Sequence, residues 1–389
     1  MKKHLYLLMV TIMVTVMSEL QVAGMMPAMS ADLGVSTSQV GMLVSMFAGG
    51  MAIGGPLFAY FLRHSPPKSA LLTIVALYAV MQVLVPLIDE YWWVALIRIL
   101  TGALAGASFG LSVTYAALLA PSPQKIGESI SIVLGGIMVG TILGLPLSHF
   151  IADRWGWQAS FHVLGALTFL LFLASAAVLP KRDAPAQEAA AQDVQNLRMP
   201  KLWARYAVSL LTVGAAYASF SYFTPLLETS AGFSTNATTI ILLAYGVCSY
   251  IGNMVVGKFA DKHAVAVLRI GHALLFVALA ALAAFGYVQP IVLVMVIIVG
   301  FVGVTMNPAL VTRVAEVGGA GTMVSTIHTA VISAGVTLGS AVSAVTISMF
   351  GDDPAVAMWT GAVLAVLAAM VLSTQTEARK KELVDAVAN

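Results

Sequence analysis

Two charged side chains lie where a sequence rarely places charge. Glu19 stands inside an apolar run over residues 5–27, and Arg98 stands inside another over residues 91–119. A charge near the centre of a bilayer costs roughly 2.5–3.5 kcal/mol on insertion scales, so such residues usually mark an ion or proton pathway. A carboxyl that moves between dry and wet surroundings, or toward and away from a cation, binds or releases a proton. Glu19 and Arg98 are therefore the candidate proton-coupling residues.

The two charges are predicted to lie at similar depth. Glu19 is about 14 residues from the start of its run, which places it about 21 Å deep at 1.5 Å per residue. Arg98 is about seven residues from the start of its run, which begins at the opposite face, so it lies about 10 Å from that face of a ~30 Å core. They need not touch for their fields to couple within one cavity. The alternative is a static buried ion pair that fixes helix positions.

The composition excludes a soluble domain. Hydrophobic residues make up 60% of the 389 residues and charged residues only 9%, with a mean hydropathy of +0.94. The net charge of +2 is scattered through short segments, so no nucleic-acid-binding patch is expected. The single cysteine, Cys248, excludes a disulfide framework and a cysteine metal site. We expect no cofactor other than the proton as coupling ion.

Apolar runs of membrane length recur along the chain between charged residues, prolines and Asn/Asp clusters. They predict twelve spans, over residues 5–27, 38–62, 69–88, 91–119, 127–152, 158–179, 204–227, 237–259, 265–286, 289–312, 322–349 and 355–374. With the N-terminus in the cytoplasm, all but two of the 19 lysines and arginines are cytoplasmic, the exceptions being Arg98 and Arg154. The sequence predicts an all-α membrane protein with both termini cytoplasmic.

The chain divides into two similar halves. Four residues (Pro27, Gly34, Ser36 and Gly54) recur 198 positions later as Pro225, Gly232, Ser234 and Gly252. "GTILG" from Gly140 returns 195 positions later as "GVTLG" from Gly335. We predict six-helix halves over 1–180 and 203–376, a cytoplasmic linker over 181–202 and a cytoplasmic tail over 377–389. Such repeats place a solute site between the halves near the midplane, and rocking of the halves gives alternating access.

Small residues at four-residue spacing are typical of closely packed membrane helices. The packing candidates are Gly102, Gly106, Gly136, Gly140 and Gly144. Pro146 follows them as a point where the helix can bend.

Aromatic and polar side chains inside the spans are the candidates for solute binding. They are Gln21, Tyr217, Phe220, Tyr222, Asn253, Asn307 and His328. Aromatic faces with a few polar groups suit a small polar-aromatic or sugar-like solute. Tyr217 stands 198 positions after Glu19, so proton chemistry is expected in the first half only. His149 and Glu228 are weaker candidates for a functional role. His149 could titrate near neutrality, and Glu228 stands at the outer end of span seven, where a charge is ordinary.

Four segments give the chain a resemblance to a known family. They are "SELQVAGMMPAMSADLGVS", "LIRILTGALAG" with Arg98 and Gly102, "GTILGLPLSHFIADRWGWQASF" and "YFTPLLETSAGFS". Over nearly its full length the chain resembles the major facilitator superfamily, and within it the bacterial drug–proton antiporter branch of chloramphenicol, arabinose, sugar and purine-nucleoside efflux permeases. The resemblance implies that a carboxylate in the N-terminal half carries the proton.

One loop departs from the family pattern. Between spans two and three the family usually has Gly-x-x-x-Asp-Arg-x-Gly-Arg, whereas "PLFAYFLRHSPPKS" has Arg63 and no acid. The second half keeps "GKFADKH" with Asp261. A cytoplasmic charge latch is therefore expected in the second half and not in the first.

The expected function is proton-coupled export of a drug, sugar-like compound, purine or nucleoside by a monomer in the bacterial inner membrane. Its partners would be the small-molecule solute and the bilayer, with no nucleic acid. The alternative in the same class is proton-coupled uptake of a small polar solute. An intramembrane enzyme is disfavoured because the spans contain no His-x-x-x-His, Gly-x-Ser-x-Gly or paired carboxylates. A channel or sensor is also disfavoured because no pore loop or signalling domain is present.

Overall fold

The computed structural model describes residues 2–62, 65–122, 125–182, 197–319 and 322–388, without the side chains of 59, 261, 322 and 376–388. This part of the chain is helical and contains no strand. Within it, twelve helices are long and apolar enough to cross a membrane, which confirms the predicted fold class. These spans, α1 to α12 in chain order, are Lys2–Gly24, Thr37–Phe58, Pro67–Leu87, Tyr91–Leu118, Ile126–Trp155, Trp157–Val178, Pro200–Ser230, Thr235–Ala260, Lys262–Phe285, Gln289–Gly318, Met323–Met349 and Ala355–Gln375.

The exterior of the bundle is apolar. Large side chains such as Ile53, Trp92 and Val277 are more than half exposed. A water-soluble surface would not present so many of them, whereas lipid tails accept them, and helices satisfy every backbone group internally. The interior holds α1 and α7, whose side chains near the middle of the bundle are almost all buried.

Several helices are interrupted where the sequence predicted continuous spans. α1 ends at Gly24, and a short helix, Met26–Leu33, follows. In α7 the helix Pro200–Phe220 gives way to Phe223–Pro225 and a π-helical turn over Leu226–Ser230. Met26–Leu33 contains Pro27 and Phe223–Pro225 contains Pro225, and the missing N–H of proline cannot continue the helical ladder.

The tenth span is longer than predicted. The sequence ends it at residue 312 and places Arg313 in a loop, but the helix Asn307–Gly318 continues and buries Arg313. Its Nη2 donates to the Gln375 side-chain oxygen of α12 at 2.9 Å. The helix can therefore extend past a charged residue, because the guanidinium finds a polar partner inside the bundle.

The two halves use glycine in corresponding places. A methyl group on Gly54 in α2 would clash with Ala103 of α4, and one on Gly252 in α8 would clash with Phe301 of α10. In the same way, Gly140 in α5 packs on Met13 and Val16 of α1, and Gly335 in α11 packs on Leu210 and Val213 of α7. These contacts are the ones that the predicted repeat requires, and the superposition of the halves remains a prediction. Residues 183–196 of the predicted linker lie outside the described residues, and the backbone of the predicted tail is helical to Ala388.

We call the side of the bundle where α1 ends the distal side, and the side of Lys2 the proximal side. The halves meet at the distal side: the Thr224 hydroxyl of α7 donates to the Ala23 carbonyl of α1 at 2.8 Å, and Gly246 of α8 packs on the backbone of Ile142 in α5. At the proximal ends of α5 and α8, no atom lies close to the position where a side chain on Gly127 or Gly257 would begin. The protein is closed at its distal side.

Candidate functional site

Glu19 lies at the contact between the two halves. It belongs to α1, is 9% exposed, and its carboxylate is within hydrogen-bonding reach of the Tyr217 hydroxyl of α7. Tyr217 is the residue that the repeat offset pairs with Glu19. A carboxylate and a phenol from opposite halves therefore share one partly accessible position, and any relative movement of the halves changes the surroundings of both.

Arg98 is fully buried beside Glu19 without a direct ion pair between them. Its Nη1 and Nη2 donate to the Ser18 carbonyl oxygen of α1 at 3.1 Å and 3.2 Å. Its guanidinium carbon lies 4.2 Å from the ring centre of Phe47 in α2, a cation–π contact. The charge of Glu19 acts on Arg98 through space. Because Ser18 directly precedes Glu19, Arg98 holds the backbone that carries the carboxylate.

Ser18 connects further amides to this position. The Gln82 Nε2 of α3 donates to the Ser18 hydroxyl at 2.7 Å, and the Gln21 Nε2 approaches it at 3.5 Å. The side-chain oxygens of Gln82 and Gln21 have no partner in the described part of the chain. Ser18 is thus contacted by Arg98 of α4, by Gln82 of α3 and by Gln21 of α1 itself. The Gln21 side chain also borders a crevice between α1, α5 and α6, on another face of α1 from Tyr217.

The second half faces Glu19 with aromatic rings. Tyr217 contacts Phe220 edge-on at 5.4 Å, and Phe220 lies 5.1 Å from Tyr245 of α8. The Tyr245 ring is also 5.5 Å from Phe223, and its hydroxyl has no partner among the described residues. We call Tyr217, Phe220, Phe223 and Tyr245 the aromatic cluster. Its four rings are buried against one another.

A sequence model of the Major Facilitator Superfamily matches residues 7–329. The chain belongs to this family. It is accordingly a multi-pass membrane transporter of small molecules and not an enzyme.

Individual proteins similar to the chain include two bacterial relatives. A chloramphenicol resistance protein of Streptomyces lividans is 28% identical over 373 residues, which cover 94% of each chain. The inner membrane transport protein YdhP of Escherichia coli (strain K12) is 29% identical over 245 residues, 63% of each chain. Among solved structures, a bacterial homologue of the human lysosomal transporter Spinster, in an inward-facing and occupied conformation, shares the fold with a TM-score of 0.80, 16% identity and 96% coverage of both chains.

The remaining polar candidates of this transporter lie apart from Glu19. His328 of α11 is buried inside the second half, where its Nε2 lies 2.8 Å from the Ser209 hydroxyl and its ring stacks on Tyr206. Asn253 is partly buried in α8, and Asn307 opens the last helical segment of α10 with its side-chain oxygen unpaired in the described chain. The structure does not bring these residues into the aromatic cluster.

Tyr222 lies at the distal contact between the halves and not in the aromatic cluster. It is fully buried, and its hydroxyl packs against Gly41 of α2. A side chain at position 41 would displace this ring, so the small residue allows α7 to approach α2 closely.

The predicted packing glycines all lie at helix contacts. Gly102 and Gly106 of α4 pack on the Phe47 and Met51 carbonyls of α2. Gly136 of α5 packs on the Met9 carbonyl of α1, and Gly144 packs on Leu20. Pro146 is buried inside the α5 helix. The side chain of Asp261 lies outside the described residues, and so does the whole of Arg63.

Sequence reasoning missed four residues that the structure places around the charges: Ser18, Phe47, Gln82 and Tyr245. Two of them carried a signal. Gln82 is an amide in an otherwise apolar span, and Tyr245 stands 198 positions after Phe47. The offset that pairs Glu19 with Tyr217 therefore also pairs Phe47, the ring beneath Arg98, with Tyr245 of the aromatic cluster.

Proposed function

We propose that this transporter exports a small organic molecule in exchange for protons, and that Glu19 is the proton carrier. The observation that supports this most is the position of Glu19, a carboxylate with residual exposure at the contact between the two halves. A buried carboxyl held only for structure would be paired with Arg98, yet Arg98 gives its hydrogen bonds to the Ser18 carbonyl. Glu19 thus keeps the freedom to bind and release a proton.

The solute is proposed to bind between Glu19 and the aromatic cluster. In the observed conformation these side chains are buried and Tyr217 reaches Glu19, so the halves must separate there to admit it. Rings stack on ring faces at about 0.5–1.5 kcal/mol per pair beyond area burial, and the unpaired Tyr245 hydroxyl can accept or donate one hydrogen bond. A solute that competes with the proton at Tyr217 and Glu19 would be released when the carboxyl is protonated again. Such competition converts a proton gradient into export.

Alternating access follows from the contacts between the halves. The observed conformation is closed at the distal side, which positive-charge segregation assigns to the outside of a bacterial inner membrane. Solute would enter from the proximal, cytoplasmic side. Rocking of the halves against each other would then expose Glu19 and the aromatic cluster to the distal side.

The solute class is proposed from relatives and from the cluster together. Because one relative is named for chloramphenicol resistance, that aromatic antibiotic is the first compound to test, followed by sugars and nucleosides. Growth inhibition of a strain that overproduces the protein, scored across these three groups, identifies the compound for transport assays.

Purified protein in vesicles with an imposed pH gradient tests the proposal. Solute should move against the direction of proton movement, and a protonophore should abolish its accumulation. Solute movement in the same direction as protons would show uptake by symport instead. Solute accumulation that does not depend on the pH gradient would refute proton coupling.

A further inference from the structure

His149 of α5 lies at the distal contact and touches both halves. Its Nδ1 is 2.9 Å from the Gly24 carbonyl oxygen of α1, in its own half. Its Nε2 is 3.2 Å from the Thr235 carbonyl oxygen of α8 and 3.4 Å from the Glu228 carboxylate of α7, both in the other half. His149 is 4% exposed, so these oxygens are its surroundings.

Every one of these neighbours accepts hydrogen bonds and none of the three can donate one when Glu228 is ionised. A neutral imidazole has one N–H and one lone pair, so one of its nitrogens would turn a lone pair toward a carbonyl oxygen. The imidazolium has two N–H donors and fits both sides. Gly24 is also the last residue of α1, where the helix dipole adds negative potential that favours a cation.

We infer that His149 binds a proton in this conformation and that the resulting imidazolium holds the two halves together at the distal side. The charged groups that face it are Glu228 from α7 and Asp153, one turn further along α5, whose charge also acts on Glu228. From α1 and α8 it meets the two backbone carbonyls. We call His149 and Glu228 the distal latch.

The local backbone is built for this contact. A side chain on Gly24 would clash with Ser148 and the Leu145 carbonyl, so only glycine lets α5 bring His149 against the end of α1. Glu228 stands in the π-helical turn of α7, a type of irregularity that is frequent at functional sites.

The latch gives protons a second role in the cycle, which rests on the proposed alternating access. Separation of the halves at the distal side removes Glu228 and the Thr235 carbonyl from His149, so the proton is held more weakly in the open state. By linkage, acid on the distal side then favours closure, and rising pH favours opening. A proton from outside would thus return the emptied transporter to its cytoplasm-facing state.

Spin labels at two distal positions measure this closure without any transport. Leu87 of the first half and Tyr287 of the second are 65% and 70% exposed and lie away from the latch. Both are replaced by cysteine in a Cys248→Ala background, which removes the native thiol. Glu19→Gln is added so that titration of the proposed proton carrier does not contribute.

In vesicles, the distal-closed population should fall as the pH rises, because closure is linked to the proton on the latch. A single linked proton changes the closed-to-open ratio by up to about tenfold per pH unit. His149→Gln should remove this dependence. His162→Gln, a change at an exposed histidine near the distal end of α6, is the matched control and should retain it.

Glu228→Gln provides a second variant should His149→Gln fail to fold. It should retain only a weaker pH dependence, because the imidazolium then loses its charged partner in the other half. A pH response of His149→Gln equal to that of the His162→Gln control, or an undiminished pH dependence in Glu228→Gln, would overturn the inference. Loss of proton-driven transport in the vesicle assay would refute the proposed coupling but leave this response intact.

Discussion

The two halves of this transporter share a scaffold and differ in chemistry. Gly54 and Gly252 make corresponding helix contacts, and so do Gly140 and Gly335. At the centre, however, the first half carries Glu19, Arg98 and two glutamines, whereas the second half carries tyrosines and phenylalanines. The two halves can therefore keep the same close helix contacts while their interiors diverge.

The divergence suggests a division of labour. Repeat-related positions hold Glu19 and Tyr217, which face each other, and Phe47 and Tyr245, of which one lies beneath Arg98 and the other packs in the aromatic cluster. The first half is proposed to handle the proton and the second the solute. Substitutions in the two halves should then produce different kinds of defect.

Arg98→Lys should give the largest loss. The guanidinium makes two hydrogen bonds to the Ser18 carbonyl and stacks on Phe47, and an ammonium cannot reproduce both. Loss of one charge-assisted bond at about 1.5–3 kcal/mol corresponds to about a 10- to 100-fold fall in transport rate. Initial rates in vesicles measure it, with Arg154→Lys at the distal end of α5 as the control. Full activity of Arg98→Lys would show that a generic positive charge suffices.

Gly54→Ala and Gly252→Ala test whether the scaffold is shared. Each methyl group meets the facing helix, and overpacking costs about 1–3 kcal/mol, so thermal stability in detergent should fall in both variants alike. Gly257→Ala, where the space is open, should be neutral or slightly stabilising. A loss in only one of the paired variants would break the equivalence of the halves.

Tyr217→Ala should change which solutes are exported and leave the dependence on the pH gradient intact. Removal of one ring contact, at about 0.5–1.5 kcal/mol, should shift the relative rates for two solutes by about 2- to 10-fold. Competition between an aromatic and a sugar-like solute measures the shift. An uncoupled phenotype would place proton chemistry in the second half as well.

Tyr245→Phe should give the smallest effect, below about threefold, because its hydroxyl has no partner in the described protein. A loss larger than this for one solute, with others unchanged, would place the hydroxyl on that solute. Phe223→Leu serves as a control for the packing of the aromatic cluster.

Much of the fold could be predicted, because membrane spans are encoded locally. Length, apolarity and charge segregation predict twelve helices, and residues that recur at a nearly constant offset predict the repeat. The interruptions at the end of α1 and in α7 could not be predicted, since a proline indicates where a helix can break but not whether tertiary contacts compensate. Arg313 was placed in a loop for a similar reason: its partner, Gln375, is distant in sequence and only the packed bundle brings them together.

The sequence predicts which residues form the site but not how they contact one another. Buried charge in an apolar span is costly enough that Glu19 and Arg98 stood out without any structure. Their contacts could not be predicted from the sequence, because Arg98 binds the Ser18 carbonyl, a backbone group that every residue has. Likewise His149 resembled an ordinary polar residue in the sequence, and only the structure shows that both of its ring nitrogens face oxygens of different halves.

Solute accumulation by the Glu19→Gln variant in vesicles tests the proposed coupling most directly. Glutamine keeps the size and hydrogen bonding of the side chain but cannot ionise. Glu19→Gln should still bind solute and exchange it passively down its gradient, while accumulation driven by an imposed pH gradient disappears. Glu228→Gln, which alters the distal latch, should still accumulate solute at a changed rate. Gradient-driven accumulation by Glu19→Gln at the wild-type level would contradict the assignment and leave Glu19 as a structural neighbour of Arg98.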